Sequence, residues 1–328
     1  MADSRAGRPV WLAGANSATP VTVLTGPHSA GKKDLIRHLL GDPPMAGAAV
    51  LMQDTAAGAE AHPAAILFRD TGEIQAGGCL CCAVQGDLQR ALRGLLARAR
   101  RGDVTRVVVA TADDTDPVHV LTTIAADPAL TTVYWVDRIV MIADAADTTL
   151  TERATAVRQA ALADCIVIRD AGRSDPSVLR AKLRDINPAA SVWDSFPPVT
   201  LLVSSSGTPA NGGQGRRYAE AVEAPAVVEI RTADPLDRAR TFEWVTDLMA
   251  HSDTRPIRIK GTVRFDGEPG PVTIDALRHH IAAHRRPPTG PGGQASDSHL
   301  TFVGTGLDRP ALEGGLRACR VRQPAERA

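Results

Sequence analysis

The sequence predicts an α/β protein in which a parallel sheet with helices on both faces is followed by a smaller α/β domain. Three observations carry this. Short β-branched apolar runs alternate with segments of helical period through residues 18–203, the pattern of a parallel sheet covered on both sides. The first of these runs passes through a glycine-rich loop directly into a helix-like segment. A turn-forming stretch then separates this region from a second set of strands and helices. The 328 residues suffice for two domains.

In chain order, residues 1–17 read as an N-terminal tail and 18–203 as the larger domain. Its strands are predicted over 21–25, 48–52, 106–110, 139–143, 165–169 and 199–203, all short and rich in Val and Ile. Helices are predicted over 31–40, 86–101, 116–126, 151–163 and 174–186, where apolar residues recur three and four apart. Arg98, Arg100 and Arg101 close the second of these helices and complement its C-terminal dipole. Cys165, inside a buried strand, reads as a core thiol. Residues 204–223 contain S-S-S-G-T-P-A-N-G-G-Q-G and read as a flexible linker. The second domain, 224–322, opens with a strand at 226–230. Asp234 is a candidate cap for the amphipathic helix that contains Thr241 to Val245. Strands near 257–265 and 299–304 and a last helix near 308–319, where Cys319 packs, complete it. His279, His280 and His284 fall on a predicted helix. His280 and His284 sit one turn apart and could share a metal, although beside Arg278, Arg285 and Arg286 a solvated face is the plainer reading.

Composition excludes several classes. Lys+Arg and Asp+Glu are equal at 37 each, which gives no electrostatic reason to expect nucleic acid or an anionic membrane. Aromatic residues make up 3%, too few for a base-stacking surface. No apolar run approaches the ~20 residues that span a bilayer, and no signal-peptide core precedes the first strand. Five cysteines in a chain of this length are not a disulfide framework, so a cytoplasmic location is expected.

The glycine loop is G-P-H-S-A-G-K-K, Gly26 to Lys33. Strand, loop and helix in this order form the context of a phosphate-binding loop, and make the larger domain a P-loop NTPase-type sheet. Glycines let backbone N–H groups approach phosphate, and the helix N-terminus adds its partial positive charge. Gly26, His28, Ser29, Ala30, Gly31, Lys32 and Lys33 are therefore the candidate nucleotide-binding residues, Lys32 reaching the β- and γ-phosphates. One position departs. After the lysine such a loop carries Ser or Thr, whose hydroxyl holds Mg²⁺. Here it carries Lys33, which has donors and no acceptor.

Cys79, Cys81 and Cys82 lie in the string G-G-C-L-C-C. Three thiolates this close converge on one soft cation, with a fourth ligand completing a tetrahedron. A redox thiol cluster, or small residues packed in a tight turn, is the alternative.

Taken together, the phosphate loop near residue 26, G-G-C-L-C-C at 77–82 and G-D-L-Q-R-A-L at 86–92 resemble the CobW-like GTP-binding family of metallochaperones. Arg258-Ile259-Lys260-Gly261 resembles the opening of that family's small domain, and 300–309 its last strand and final helix start. The resemblance implies a cytoplasmic protein that binds GTP or GDP and zinc or a related transition metal. It also implies that nucleotide turnover alters metal affinity for delivery to a protein client through the C-terminal domain. Cys79, Cys81 and Cys82 would be metal ligands. Asp54, in Gln53-Asp54-Thr55-Ala56 where the family has N-E-F-G, would keep the carboxylate of that site.

Several family determinants are altered. Where the family's third strand ends in E-T-x-G, this chain has Ala110-Thr111-Ala112-Asp113, without the glutamate. The following Asp116-Pro117 and the strand-end Asp144-Ala145 match. The guanine-reading N-K-x-D is replaced by Arg169-Asp170-Ala171-Gly172. The expectation is a zinc-binding CobW-like protein, a metallochaperone or metal-responsive regulator with weak or absent GTP hydrolysis, its use of Mg²⁺ in doubt. The alternative is a non-catalytic zinc-responsive adaptor that recruits a protein such as a ribosome hibernation factor, a branch of the family that is also poor in nucleotide motifs. A homodimer remains open. A kinase or transferase finds no support beyond the loop.

Overall fold

The structure is a computed structural model. It describes residues 18–27, 29–53, 65–68, 86–169, 175–203, 225–251, 255–277, 280–285 and 297–321. The predicted tail and linker fall outside these residues. The larger domain is a seven-stranded sheet in the order β3-β2-β4-β1-β5-β6-β7. Its strands are β1 (Thr19–Thr25), β2 (Ala48–Gln53), β3 (Ala65–Phe68), β4 (Arg106–Ala110), β5 (Tyr134–Asp144), β6 (Cys165–Arg169) and β7 (Ser191–Trp193). Every neighbouring pair is parallel, and β1 lies at the centre between β4 and β5. The helices are α1 (Ser29–Leu40), α2 (Asp87–Arg100), α3 (Val118–Ala125), α4 (Pro128–Thr131), α5 (Ala154–Leu162), α6 (Pro176–Ile186) and α7 (Val199–Val203).

The sheet is buried on both faces. On one, Val21, Val23, Val107, Val109, Ile139 and Met141 pack with Leu88, Leu92 and Leu95 of α2. On the other, Leu24, Val108, Val140 and Ile142 meet Leu35, Ile36 and Leu39 of α1. Alternate residues of each strand supply alternate faces. Cys165 and Cys319 are both buried free thiols, and burial pushes the Cys165 thiol up to about 11.

Four expectations need correction. Residues 199–203 form α7, not a strand. Pro197 and Pro198 precede it, and Val199 and Leu202, three apart, are buried. The sheet takes β7 instead, together with the unpredicted β3. The segment 151–163 is a 3₁₀ turn at Leu150–Glu152 followed by α5. In the second domain Asp237 caps the helix, its Oδ1 accepting from the Arg240 N–H at 2.9 Å. Asp234 lies upstream of it and pairs with Arg320. Finally, His280 and His284 lie on a strand of an antiparallel hairpin, about 13 Å apart along it rather than one helical turn.

The second domain is an antiparallel sheet in the order β11-β10-β9-β12-β8. It comprises β8 (Ala226–Thr232), β9 (Arg255–Val263), β10 (Val272–Leu277), β11 (His280–Arg285) and β12 (Ser298–Thr305), with α8 (Arg238–His251) and α9 (Arg309–Ala318). Ile259, Val263, Ile274, Leu300 and Phe302 face these two helices. The opposite face packs on the larger domain, whose core takes in Val227, Leu277 and Val303.

The alternation also aims Arg258 and Lys260 at that junction. Arg258, 2% exposed, forks onto Asp275 at 2.7 and 3.0 Å and donates to the Leu162 carbonyl at 3.1 Å. Lys260 reaches Asp164 at 3.0 Å and the Asp137 carbonyl at 2.6 Å. Gly261 completes the motif because a Cβ there would lie 2.0 Å from the His299 carbonyl oxygen of β12. These groups line a small interdomain cavity with Arg138, Asn187 and Thr301. Burial acts to raise the Asp164 pKa, but Arg258, Lys260 and Arg138 outweigh it and hold the carboxyl at about 2.

Two outcomes follow. Arg258→Ala leaves two carboxylates without their shared partner, and should cost about 3–5 kcal/mol in a urea melt. The Asp164 carboxyl thus lies well below the usual aspartate range. Its contribution to stability is therefore complete above about pH 4 and falls away toward pH 2. Acid titration of Asp164→Asn should lack that component of the loss.

Candidate functional site

The site is built from the C-terminal ends of β1 and β4. Val21, Val23 and Leu24 are fully buried, so β1 is fixed in the sheet up to Thr25. Gly26 then turns with φ +115°, and a Cβ placed on it would stand 2.2 Å from the Ile142 carbonyl oxygen of β5. Only glycine fits this turn and this approach. The chain re-enters helix at Ser29, which puts the α1 N-terminus and its unpaired N–H groups directly after the loop.

Lys32 lies in the first turn of α1 and is 4% exposed. Its Nζ donates to the Gly26 carbonyl at 2.6 Å and to Asp113 Oδ1 at 2.7 Å. Burial lowers its pKa, and the carboxylates of Asp113 and Asp114 oppose that shift. Asp113 is 46% exposed and stands on a loop tied down from several sides. Thr111 donates its N–H to Leu24 O at 2.9 Å, and its hydroxyl lies 3.2 Å from that of Thr25. Gln53 Oε1 accepts from Ala112 N at 2.8 Å and from the Thr115 hydroxyl at 3.0 Å. Gln159 Nε2, wholly buried, donates to the carbonyls of Asp113 and Thr115 at 3.1 and 3.0 Å. Asp116 caps the start of α3 through the Val118 N–H.

Of the predicted residues, Gly26, Gly31, Lys32 and Lys33 converge on the loop and the first turn of α1. Ser29 and Ala30 begin that helix. His28, Asp54, Cys79, Cys81 and Cys82 lie outside the described residues. The cysteine string leads, as expected, into a helix: α2 starts at Asp87 and buries Leu88. Among the described residues no group of three His, Cys, Asp or Glu is placed to hold a metal ion.

The same end of the sheet carries contacts that the sequence did not announce. Arg169, last in β6, lies with its guanidinium 4.4 Å from the Phe196 ring centroid and 3.7 Å from Asp34. His38 of α1 stacks on the same ring at 5.4 Å. Gln53, Asp113 and Gln159 were also not singled out. Asp113 alone had a visible signal, an acid where the family pattern E-T-x-G has glycine.

Comparison with known proteins agrees with this architecture. The pattern for the CobW/HypB/UreG nucleotide-binding domain matches residues 20–194, and that for the cobalamin synthesis protein cobW C-terminal domain matches 226–320. A curated relative, zinc chaperone YjiA of Escherichia coli, is 24% identical over 318 residues, covering 92% of this chain and 98% of that protein. The Zn(II)-bound YjiA GTPase from E. coli has a similar fold, with TM-score 0.58 and 21% identity over 93% of this chain and 99% of that one. A Zn(II)-bound triple mutant of YjiA gives TM-score 0.59 at 20% identity, with the same coverage. The chain belongs to the CobW/HypB/UreG family.

The geometry at Gly26 makes a direct prediction. Gly26→Ala forces a β-carbon against the backbone of β5 and strains φ, and should lower stability by about 3 kcal/mol or more. The midpoint of a denaturant melt reads this.

Proposed function

We propose that this protein is a nucleotide-linked, zinc-binding metallochaperone or metal-responsive regulator whose GTP hydrolysis is slow or absent. The observation that carries the nucleotide half is Lys32, a buried ammonium at the start of α1, behind a glycine turn in the middle of a parallel sheet. Ammonium, helix N-terminus and glycine loop together suit a polyphosphate. Support for the metal half is the C-x-C-C string in the sequence and kinship to a protein named a zinc chaperone. Zinc is then the cargo, and Cys79, Cys81 and Cys82 its ligands, with Asp54 a candidate fourth.

Slow hydrolysis follows from side-chain chemistry. Phosphoryl transfer to water needs Mg²⁺ placed against the β- and γ-phosphates. Lys33 offers no acceptor where a hydroxyl would hold the ion. The strand-end carboxylate of the family pattern is Ala110 here. The C-terminal sheet has one face under α8 and α9 and the other on the larger domain. A protein client reaching that domain would meet the helices or the edge strands β8 and β11. No helix among the described residues is long and apolar enough to cross a membrane.

Three measurements test this reading. Metal analysis of the purified protein should find about one zinc per chain, and Cys81→Ala should reduce it toward zero, since two thiolates leave the tetrahedron half open. Undiminished tight zinc in that variant contradicts the ligand assignment. Phosphate release from GTP with Mg²⁺ should be far below the 1 s⁻¹ low end of ordinary enzyme turnover. Lys33→Ser should add Mg²⁺ dependence to nucleotide binding; unchanged binding with and without the ion would remove the loop from the proposed role.

A further inference from the structure

The loop after β4 brings a carboxylate to the atom through which a phosphate loop works. Lys32 has three N–H donors. One goes to the Gly26 carbonyl at 2.6 Å and one to Asp113 Oδ1 at 2.7 Å. In such loops the lysine ammonium is shared between the β-phosphate and the γ-phosphate. The helix N-terminus and glycine turn serve the phosphates nearer the nucleoside, and the γ-phosphate is the outermost. Here one donor of that ammonium is already taken by a carboxylate that the fold itself supplies.

We infer that Asp113 is a specificity-determining residue of this cradle, which makes it take nucleoside diphosphate in preference to triphosphate. The inference rests on the phosphate-binding reading above and deepens it. A diphosphate ends at the β-phosphate and can share Lys32 with Asp113. A triphosphate must place its terminal dianion beside that carboxylate or displace it, and like charges at such range repel strongly where water is partly excluded. The loop has little room to retreat. Gln53 and Gln159 hold its backbone from two sides, and Thr111 ties its base to β1. What remains is rotation of the Asp113 side chain, which is 46% exposed, toward solvent. That movement gives up the Lys32 contact, so the triphosphate is penalised rather than barred. Lys33 adds a neighbouring positive charge but no acceptor, so the loop itself recruits no Mg²⁺ to bridge carboxylate and phosphate.

The test is isothermal titration of GDP, GTP, ADP and ATP into the full chain in EDTA, for the wild type, Asp113→Asn and Asp113→Gly. Asn keeps the shape and an acceptor for Lys32 while removing the charge. Gly removes the side chain. Circular dichroism melts confirm that the variants fold. The wild type should bind each diphosphate about tenfold more tightly than its triphosphate. Both variants should bring the pair within about twofold, chiefly by improved triphosphate affinity, with diphosphate affinity moving less than about threefold. Equal wild-type affinity for di- and triphosphate, or variants that move both ligands alike, overturns the inference while leaving the phosphate cradle standing. Failure of the wild type and both variants to bind any of the four nucleotides removes the cradle and the inference with it. A wild type that binds none, beside variants that bind triphosphate, likewise overturns the diphosphate preference, because Asp113 would then block the whole cradle.

Discussion

The larger domain is organised by where β1 is allowed to end. Its apolar residues seat it between β4 and β5, and at Gly26 the backbone passes so close to Ile142 that no side chain fits. This constraint sets the starting point and direction of α1. From there Lys32 folds back along the helix toward its own loop and is removed from water. A desolvated ammonium is costly unless its donors are satisfied. The fold satisfies two of them with groups from different segments, the Gly26 carbonyl and Asp113. The glycine turn, the buried lysine and the pinned loop after β4 are thus one arrangement, and a change in any of them is felt by the others.

The same scaffold reaches the second domain. β5 carries Ile142 against the glycine turn at one end, and Asp137 and Arg138 at the interdomain cavity nearer the other. The junction itself combines two kinds of adhesion. Val227, Leu277 and Val303 extend the apolar core across the boundary, which favours association without dictating its angle. Arg258 and Lys260 supply the direction: a forked pair to Asp275 of the neighbouring strand fixes Arg258, while its bond to the Leu162 carbonyl and the contacts of Lys260 with Asp164 and Asp137 cross to the larger domain. A buried ion cluster of this sort adds little net stability compared with apolar packing, but breaking it is expensive. Its contribution is to fix how the two sheets face each other.

Much of this was legible in the sequence, for reasons that can be named. The run from Val21 through Leu40 announces strand, loop and helix because the hydrophobic period changes across a glycine-rich turn. The second domain was legible from alternation: Ile259, Val263, Leu300 and Phe302 fall on one face and Arg258, Lys260 and Thr301 on the other. The failures have equally local causes. Val199 to Val203 is β-branched and reads as strand, but Pro197 and Pro198 fit a helix start and the buried Val199 and Leu202 turn out three apart. β3 and β7 have four and three residues, too few to show a period. The histidines at 280 and 284 carry no periodic signal that separates a helix from a hairpin strand. The partnership of Asp164 with Arg258 and Lys260 joins segments far apart in the chain, and no spacing rule announces it. The ligand geometry of the cysteine string lies outside the described residues, so that part of the candidate site rests on sequence.

The altered nucleotide motifs do not describe a phosphate loop that has simply decayed. Without Asp113, Lys32 would be a desolvated ammonium with the Gly26 carbonyl as its one acceptor from the described hydrogen bonds. Instead the chain places an acid at the position of the family's glycine, and that acid lands on the lysine. The added cation at Lys33 and the added anion at Asp113 offset each other in net charge while redistributing it. Lys33 adds positive charge in α1, and Asp113 places negative charge against Lys32. On the proposal above, such a cradle accepts an anion and disfavours the longest one. The chemistry it disfavours, hydrolysis of a triphosphate held by magnesium, is the chemistry for which Lys33 and Ala110 also lack the groups. Lys33, Ala110 and Asp113 thus bear on one and the same proposal, a cradle that keeps phosphate binding while turnover is slow or absent.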